Sequence, residues 1–490
     1  MKLKFKVAVI LALLIICLSV LSSCDMITYG SMEGDVVSGE AAVMSTENYD
    51  VSVSMMTYFF NLSYRDYAGK GVIDPSVSLN KQYLYDEYSW YDYILSSVKS
   101  EVRSYLIIAE AAKVDGIELD EDDLDGVEAV LDRLKEAAAS RGFSVSDYIK
   151  LMFGTVVRID DVRECLKLVR LSYKYSEAMM SRYKNDYTEA DFFKQFEDNE
   201  KDYKYVDYYA YTFSAEADDD GTVTSEASSA AESLADGLMA ARNVDEFRSY
   251  LKNHLTNKAQ DVVEEGHNID EDVITQAVDE AFIRHADHLT LTNISPALVE
   301  WAYDESTSVC STIKINSGDR EYTVYMLVAA PYRDEYITRS GAYIFLSNTT
   351  YSDVAGALAK SDVIIEEWEN SEKTERAFAE LARKYSESGN ARIENNLKKD
   401  QAYSDWLYAV DRVVGDVGKI VSDRDGGVYL VYYAGESGLE CWLADAQADL
   451  VEAAFNEHFA ELADRYNVTV NDEEAERVMP VADVAFAGDG

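Results

Sequence analysis

The chain has 490 residues and a formal net charge of −46, from 45 Lys and Arg against 91 Asp and Glu. A balance this acidic excludes nucleic acid and anionic lipid as electrostatic partners, and suits either plain solubility or the engagement of basic, unfolded chains. Hydrophobic residues make up 48%, enough to bury real cores in the two to four domains this length suggests.

The first residues read as a targeting segment. Lys2, Lys4 and Lys6 precede an apolar run, Val7 to Val20, that is short for a membrane span. Leu21-Ser22-Ser23-Cys24 follows. The order resembles a bacterial lipoprotein signal peptide over 1–23, ending in a lipobox. That resemblance implies cleavage before Cys24, a diacylglycerol on its thiol, and an extracytoplasmic body held to the cell membrane by that lipid. Residues 24–47, rich in Gly, Ser, Glu and Asp, predict a flexible tether. The remaining cysteines, Cys165, Cys310 and Cys441, are odd in number and widely spaced. They predict buried thiols with at most one bridge.

Residues 48–202 predict a helical domain. The stripe Ile94, Val98, Val102, Leu106 and Ala109 marks one long helix and Asp115-Gly116 its end. Val162, Cys165, Leu166, Val169 and Tyr173 mark another. At Tyr205 the period changes to that of a strand, YVDYYAYTF. Helices are expected over 226–241 and 244–255, and 257–292 reads as a polar insertion of marginal structure. A second strand-like run, Ala342 to Ser347, is followed by helices at 351–370 and 375–385. A long amphipathic helix from Cys441 to Tyr466, with a short strand to Val470, is expected to return to the helical domain. The tail, 471–490, is acidic.

Two stretches match at a spacing of 105 residues. In Tyr403 to Glu436, Trp406, Leu407 and Val410 have helical spacing and Gly415 breaks the helix. Val417 to Val421 and Val428 to Tyr433 predict a hairpin, with Asp425-Gly426-Gly427 at its turn. In Leu298 to Ala330, Trp301 matches Trp406, Tyr303 matches Tyr408 and Lys314-Ile315 matches Lys419-Ile420. After a one-residue slip Val324-Tyr325 matches Val428-Tyr429. A register held through helix, turn and hairpin predicts a duplicated domain, with copies at 203–335 and 340–437.

Other constellations are weaker. Glu216, Asp218, Asp220 and Gly221 open like a calcium loop, but no acid stands at Ala227, so a solvated acidic loop is expected. His285-Ala286-Asp287-His288 lacks the glutamate of a zinc helix and reads as a polar helix surface. No cofactor or metal is expected.

A strand, helices, then a helix–turn–hairpin is also the order of a parvulin domain. Arg376 to Ser388 is similar to that family's "FaeLA" helix and following loop, and Tyr403 to Val431 to its closing hairpin. With the lipobox and the returning helix, the chain resembles PrsA-type foldase lipoproteins and SurA-type chaperones. The resemblance implies an α+β chain: a helical SurA-like N-terminal chaperone domain, two tandem parvulin-like domains of small antiparallel sheets with helices, and a returning C-terminal helix. It implies a peptidyl-prolyl cis-trans isomerase fold whose partners are unfolded or nascent exported proteins. The family's two strand histidines fall on Ala342 or Tyr343 and on Tyr429 in the second copy, and near Tyr209 and on Tyr325 in the first. Its Cys/Asp position falls on Ser388. The five histidines, His254, His267, His285, His288 and His458, match neither strand position. Tyr343, Ser388 and Tyr429 are therefore family-equivalent candidates without the family's chemistry, and the expected activity is chaperoning more than isomerisation. Tyr343, Phe378, Trp406, Tyr408 and Tyr429 are candidates for a groove that holds apolar peptide, with core packing as the alternative for Phe378 and Trp406. A non-enzymatic envelope scaffold for one fixed protein partner is the competing expectation.

Overall fold

A computed structural model describes residues 39–218, 221–262, 270–318, 320–348, 350–351, 353–386, 392–399 and 401–481. The leader, Cys24, most of the expected tether and Ser388 lie outside these residues. The chain is α+β, with helices and small antiparallel sheets. In chain order the strands are β1 (Ala42–Ser45), β2 (Asp50–Ser52), β3 (Tyr83–Tyr85), β4 (Tyr88–Ser89), β5 (Tyr205–Ser214), β6 (Phe282–Asp287), β7 (Thr312–Ser317), β8 (Glu321–Tyr332), β9 (Ile337–Ser347), β10 (Glu394–Leu397), β11 (Val417–Ser422), β12 (Gly427–Glu440) and β13 (Thr469–Val470). The backbone forms two compact units. Of the described residues, one holds those up to 187, those within 337–439 and those from 448 on; the other holds those within 188–336 and 440–447.

Three helices of the first unit's helical part, Val53–Gly69, Trp90–Asp115 and Glu121–Ser140, start at a capping residue. Ser52 accepts from the Met55 amide, and Ser89 with Asp92 and Asp120 with Asp123 form reciprocal boxes. The Trp90–Asp115 helix ends at Gly116, whose φ of +68° suits a residue without Cβ. Helices Val53–Gly69, Trp90–Asp115 and Ile159–Asp186 share one core through Phe59, Phe60, Val102, Leu106, Cys165 and Tyr175. Phe455 and Leu462 of the Cys441–Arg465 helix are buried in the same core, and His458 Nε2 lies 2.8 Å from the Tyr175 hydroxyl.

The expected tether and the acidic tail both contribute residues to this core. Ala42–Ser45, placed in the tether, pairs with β2 and β13, and Val43 and Met44 are buried. Two adjacent apolar residues gave no period, so the composition around them hid the strand. The described part of the acidic tail forms the Asp472–Ala475 helix and buries Val478. Asn61 fixes its end: its amide donates to the carbonyls of Thr57, Phe153 and Met479 and its oxygen accepts from the Val481 N–H.

The first unit also contains the second repeat, a four-stranded sheet in the order β10-β9-β12-β11. Helices Val354–Glu369 and Glu375–Tyr385 pack on one face with Ile344, Leu346, Leu430 and Tyr432. Val410 was expected to extend the Trp406 helix, but that helix is only Ser404–Leu407 and Val410 is fully exposed. Polar bonds join this repeat to the helical part: Arg133 donates to the Ser386 carbonyl at 2.8 Å, and Arg392 pairs with Glu177 and Asp123.

The second unit holds the first repeat, with the order β6-β5-β8-β7. Each repeat thus places its own first strand second, beside its own fourth. Helices Ser225–Met239, Val244–Val262 and Glu271–Glu280 lie on one face of the sheet and His288–Ile294 and Pro296–Ala302 on the other. The 257–292 segment is therefore no marginal insertion, since it supplies a helix and the edge strand β6. The unit begins before 203: Phe196, on the Glu189–Asp198 helix, packs 5.9 Å from Tyr203 and 4.8 Å from Trp442. Among the thiols, Cys165 and Cys441 are buried and Cys310 is half-buried, all unbridged.

Sheet register corrects the repeat alignment. Ile315 stands opposite Thr323, and Ile420 opposite Tyr429. Thr323, not Tyr325, is the first repeat's counterpart of Tyr429. The hairpin turn between Ser422 and Gly427 is one residue longer than that between Ser317 and Glu321, so the slip runs the other way.

Candidate functional site

The candidates divide between the two faces of the second repeat's sheet, because side chains alternate along β9 and β12. Tyr343 and Tyr429 lie on the face away from the two long helices, together with Trp406 and Tyr408. Phe378 lies on the opposite face, 1% exposed, 5.8 Å from Trp368 and 5.3 Å from Tyr432. It is core and takes no part in the groove. The first repeat shows the same split. Tyr209 turns toward the helices, stacked 4.9 Å from Phe282 with its hydroxyl accepting from Arg248, whereas Tyr325 faces the other side near Tyr208. Tyr209 therefore does not occupy the place of Tyr343.

Three tyrosines meet at the centre of the second repeat's open face. Ring centroids are 5.6 Å apart for Tyr343 and Tyr403, 5.6 Å for Tyr343 and Tyr429, and 5.2 Å for Tyr403 and Tyr429. Phe345 adds a fourth ring 4.7 Å from Tyr429. Such tilted and edge-on pairs suit the ring quadrupoles. Two glycines let rings lie on the sheet. A Cβ at Gly418 would stand 2.1 Å from the Trp406 ring, and one at Gly427 would stand 2.5 Å from the Phe345 ring. In the first repeat the register puts Ile313 and Glu321 at those places. There a small polar pair, Thr212 and Thr323, bonded at 2.8 Å, stands where the second repeat has Tyr429.

Tyr403 and Phe345 complete the cluster and were not singled out from sequence. Phe345 was accessible to that reasoning, since it follows Tyr343 by two positions on one strand. Tyr403 precedes a one-turn helix, where no period assigns a face.

Polar groups surround the rings. The Tyr429 hydroxyl donates to Asp425 Oδ2 at 3.1 Å, and Asp425 also accepts from Ser422 and Arg424. Burial acts to raise the Asp425 pKa, but these hydrogen bonds outweigh it and hold the carboxyl below its usual range. Burial first, and then the Asp425 charge, push the Tyr429 phenol well above its ordinary value. It stays neutral at physiological pH and offers a hydrogen bond, not a base. The Tyr408 hydroxyl donates to the Leu397 carbonyl at 2.6 Å, with Arg339 5.5 Å and Lys399 5.0 Å from its ring. Arg412 lies 4.8 Å from the Trp406 ring.

Ser388 lies outside the described residues. The described serine nearest to it, Ser386, is buried, and its hydroxyl accepts from the Phe345 amide at 3.2 Å. The helix that carries the "FaeLA" likeness is thereby tied to the strand that carries the aromatic face.

The surface is a partly exposed aromatic layer with hydroxyls at its edge. Among the described residues no group of three or more His, Cys, Asp or Glu is placed to hold a metal, and no helix is long and apolar enough to cross a membrane. No protein-family model matches the chain, and no curated protein matches it.

Proposed function

We propose that the chain is a lipid-anchored, extracytoplasmic protein-folding factor of parvulin-like architecture that binds apolar segments of unfolded exported proteins. The observation that carries this reading is the aromatic face of the second repeat. Tyr343 and Tyr429, which the resemblance sets at the family's histidine positions with Ala342 as the alternative for the first, lie beside Tyr403, Phe345 and Trp406. Support also comes from the two repeats, each a strand, helices and a helix–hairpin with one sheet order. The leader sequence supports the location.

The same face argues for binding over catalysis. Rotation about an X–Pro bond meets a barrier of about 18–20 kcal/mol, and a catalyst must hold the twisted amide better than the planar one. Here no histidine stands at either position that the resemblance marks, and the phenol of Tyr429 is already committed to Asp425. Stacked rings can take up a proline ring or another apolar side chain without discriminating between the two amide geometries.

Two assays on the full-length chain test the proposal. Aggregation of an unfolded client should be suppressed at stoichiometric chain, and less so by Tyr429→Ala. An X–Pro peptide should relax at its uncatalysed rate, over roughly tens to hundreds of seconds. Unsuppressed aggregation would overturn the chaperone reading. Accelerated relaxation that disappears in Tyr429→Phe would replace it with an isomerase that works without histidine.

A further inference from the structure

His285 lies in the first repeat, on a strand and not on the helix surface its sequence suggested. It stands on β6 at a bulge: Val206 pairs with Ala286 and Tyr208 with Ile283, so Arg284 and His285 share the space opposite Asp207. Its φ is +52°, a left-handed conformation few residues other than glycine adopt. Its amide donates to Asp207 Oδ1 at 3.0 Å. The bulge sets the imidazole between two polar groups. Nε2 is 2.9 Å from Asp334 Oδ2, and Nδ1 is 3.2 Å from the Tyr332 hydroxyl. That hydroxyl lies 2.9 Å from Asp207 Oδ1.

Counting protons assigns the charge. Ionised carboxylates only accept, and a tyrosine hydroxyl has one proton to donate. If Tyr332 donates to Asp207, its oxygen must accept from Nδ1–H. Asp334 requires a second N–H, on Nε2. All three bonds form together only when the ring is an imidazolium. A neutral ring that keeps Nε2–H for Asp334 turns Nδ1 into an acceptor, which draws the Tyr332 proton away from Asp207.

We propose that His285 is a proton-operated clasp on the edge strand of the first repeat. Charged, it ties the strained bulge of β6 to Asp334 and, through Tyr332, to Asp207; neutral, it must give up either the Asp334 bond or the Tyr332–Asp207 link, and the hold on β6 loosens.

The groups that face it are carboxyls and phenols. Asp207 and Tyr205 face it from β5, with the Tyr205 ring 5.3 Å away. Tyr332 and Asp334 face it from β8 and the residues just beyond. Asp287 lies on its own strand, occupied as the cap of the next helix. Asp445, on the Cys441–Arg465 helix, accepts from the Tyr205 hydroxyl at 3.4 Å. The closed clasp needs the second ring proton, so lowering the pH closes it and raising the pH opens it.

The test is ring nitrogen NMR of the full-length chain labelled with ¹⁵N-histidine, with His285→Gln used to assign the signal. At pH 7 both ring nitrogens of His285 should show protonated shifts and should convert to the neutral pattern only at higher pH. In Asp334→Asn the conversion should move to a proton concentration at least tenfold higher. Should His285→Gln fail to fold, the signal displaced in both Asp334→Asn and Tyr332→Phe supplies the assignment. A single protonated nitrogen at pH 7, or a conversion that Asp334→Asn leaves in place, overturns the proposal.

Discussion

Tyr429 separates two roles that one side chain can hold. Its hydroxyl meets Asp425 and its ring meets Tyr343, Tyr403 and Phe345. Tyr429→Phe removes one hydrogen bond at a half-exposed edge and should lower stability by about 1 kcal/mol in urea denaturation. Tyr429→Ala removes the ring on which the others rest and should lower it by about 2–4 kcal/mol, with loss of client binding. Equal effects of the two would place the role of Tyr429 in its hydroxyl and count against an aromatic binding face. Gly418 tests the same face from below. Gly418→Val should lift Trp406 off the sheet, shift its fluorescence and weaken client binding, while far-UV circular dichroism stays native. Asn61 gives the largest expected loss at residue scale. It is fully buried and meets four backbone groups. Asn61→Leu leaves those groups unpaired in the core, and a loss of about 3 kcal/mol or more is expected, with earlier proteolysis near Met479.

At the scale of elements, the sequence revealed what has a period and hid what lacks one. The Glu375–Tyr385 helix was read to the residue, because Phe378, Leu381 and Ala382 fall on one stripe between Thr374 and Ser386. Strands β5 and β11 were equally plain from their β-branched and aromatic runs. β6 was missed because the bulge at His285 interrupts its alternation and puts polar residues at an edge. β1 was missed because its neighbours are acidic and small. The aromatic face was half-legible: alternation put Tyr343 and Tyr429 on one side, but Phe378 sits on a helix whose face depends on the sheet it covers. The hairpin slip was misread because Tyr325 and Tyr429 look alike, whereas register follows turn length and not residue identity. One repeated feature survives the correction. Lys314 on β7 pairs with Glu232 and Asp236, and Lys419 on β11 pairs with Asp362, each reaching its repeat's first long helix. Lys314 is the less exposed and has two partners, so Lys314→Met should destabilise its repeat by about 0.5–1 kcal/mol, and Lys419→Met by less. Thermal denaturation at low and high salt checks this, since only the wild-type difference should shrink with salt.

At the scale of the molecule, 91 acidic residues against 45 basic ones set how stability responds to pH. Self-repulsion grows as carboxyls ionise, and one half-buried carboxyl adds to the same trend. Glu101 lies on the Trp90–Asp115 helix and accepts from the Tyr105 hydroxyl. Burial pushes its pKa up to about 7, against a smaller lowering by the Tyr105 bond. In the unfolded chain a glutamate ionises near 4.3. Between these values the native state holds a proton that the unfolded state has lost, so stability falls as pH rises through the window and the loss is complete above about 7. Glu101→Gln keeps the shape and an acceptor oxygen for Tyr105 but cannot ionise. Relative to wild type it should be neutral near pH 4 and should gain with rising pH, by at most about 4 kcal/mol at pH 8. Urea denaturation of both chains at half-unit pH steps measures the gap. A gap that opens between pH 4.5 and 7 and then stays level assigns the effect to Glu101. A gap that is constant across the range means that the carboxyl titrates alike in the folded and unfolded chains, and the pH dependence then belongs to the distributed surface charge.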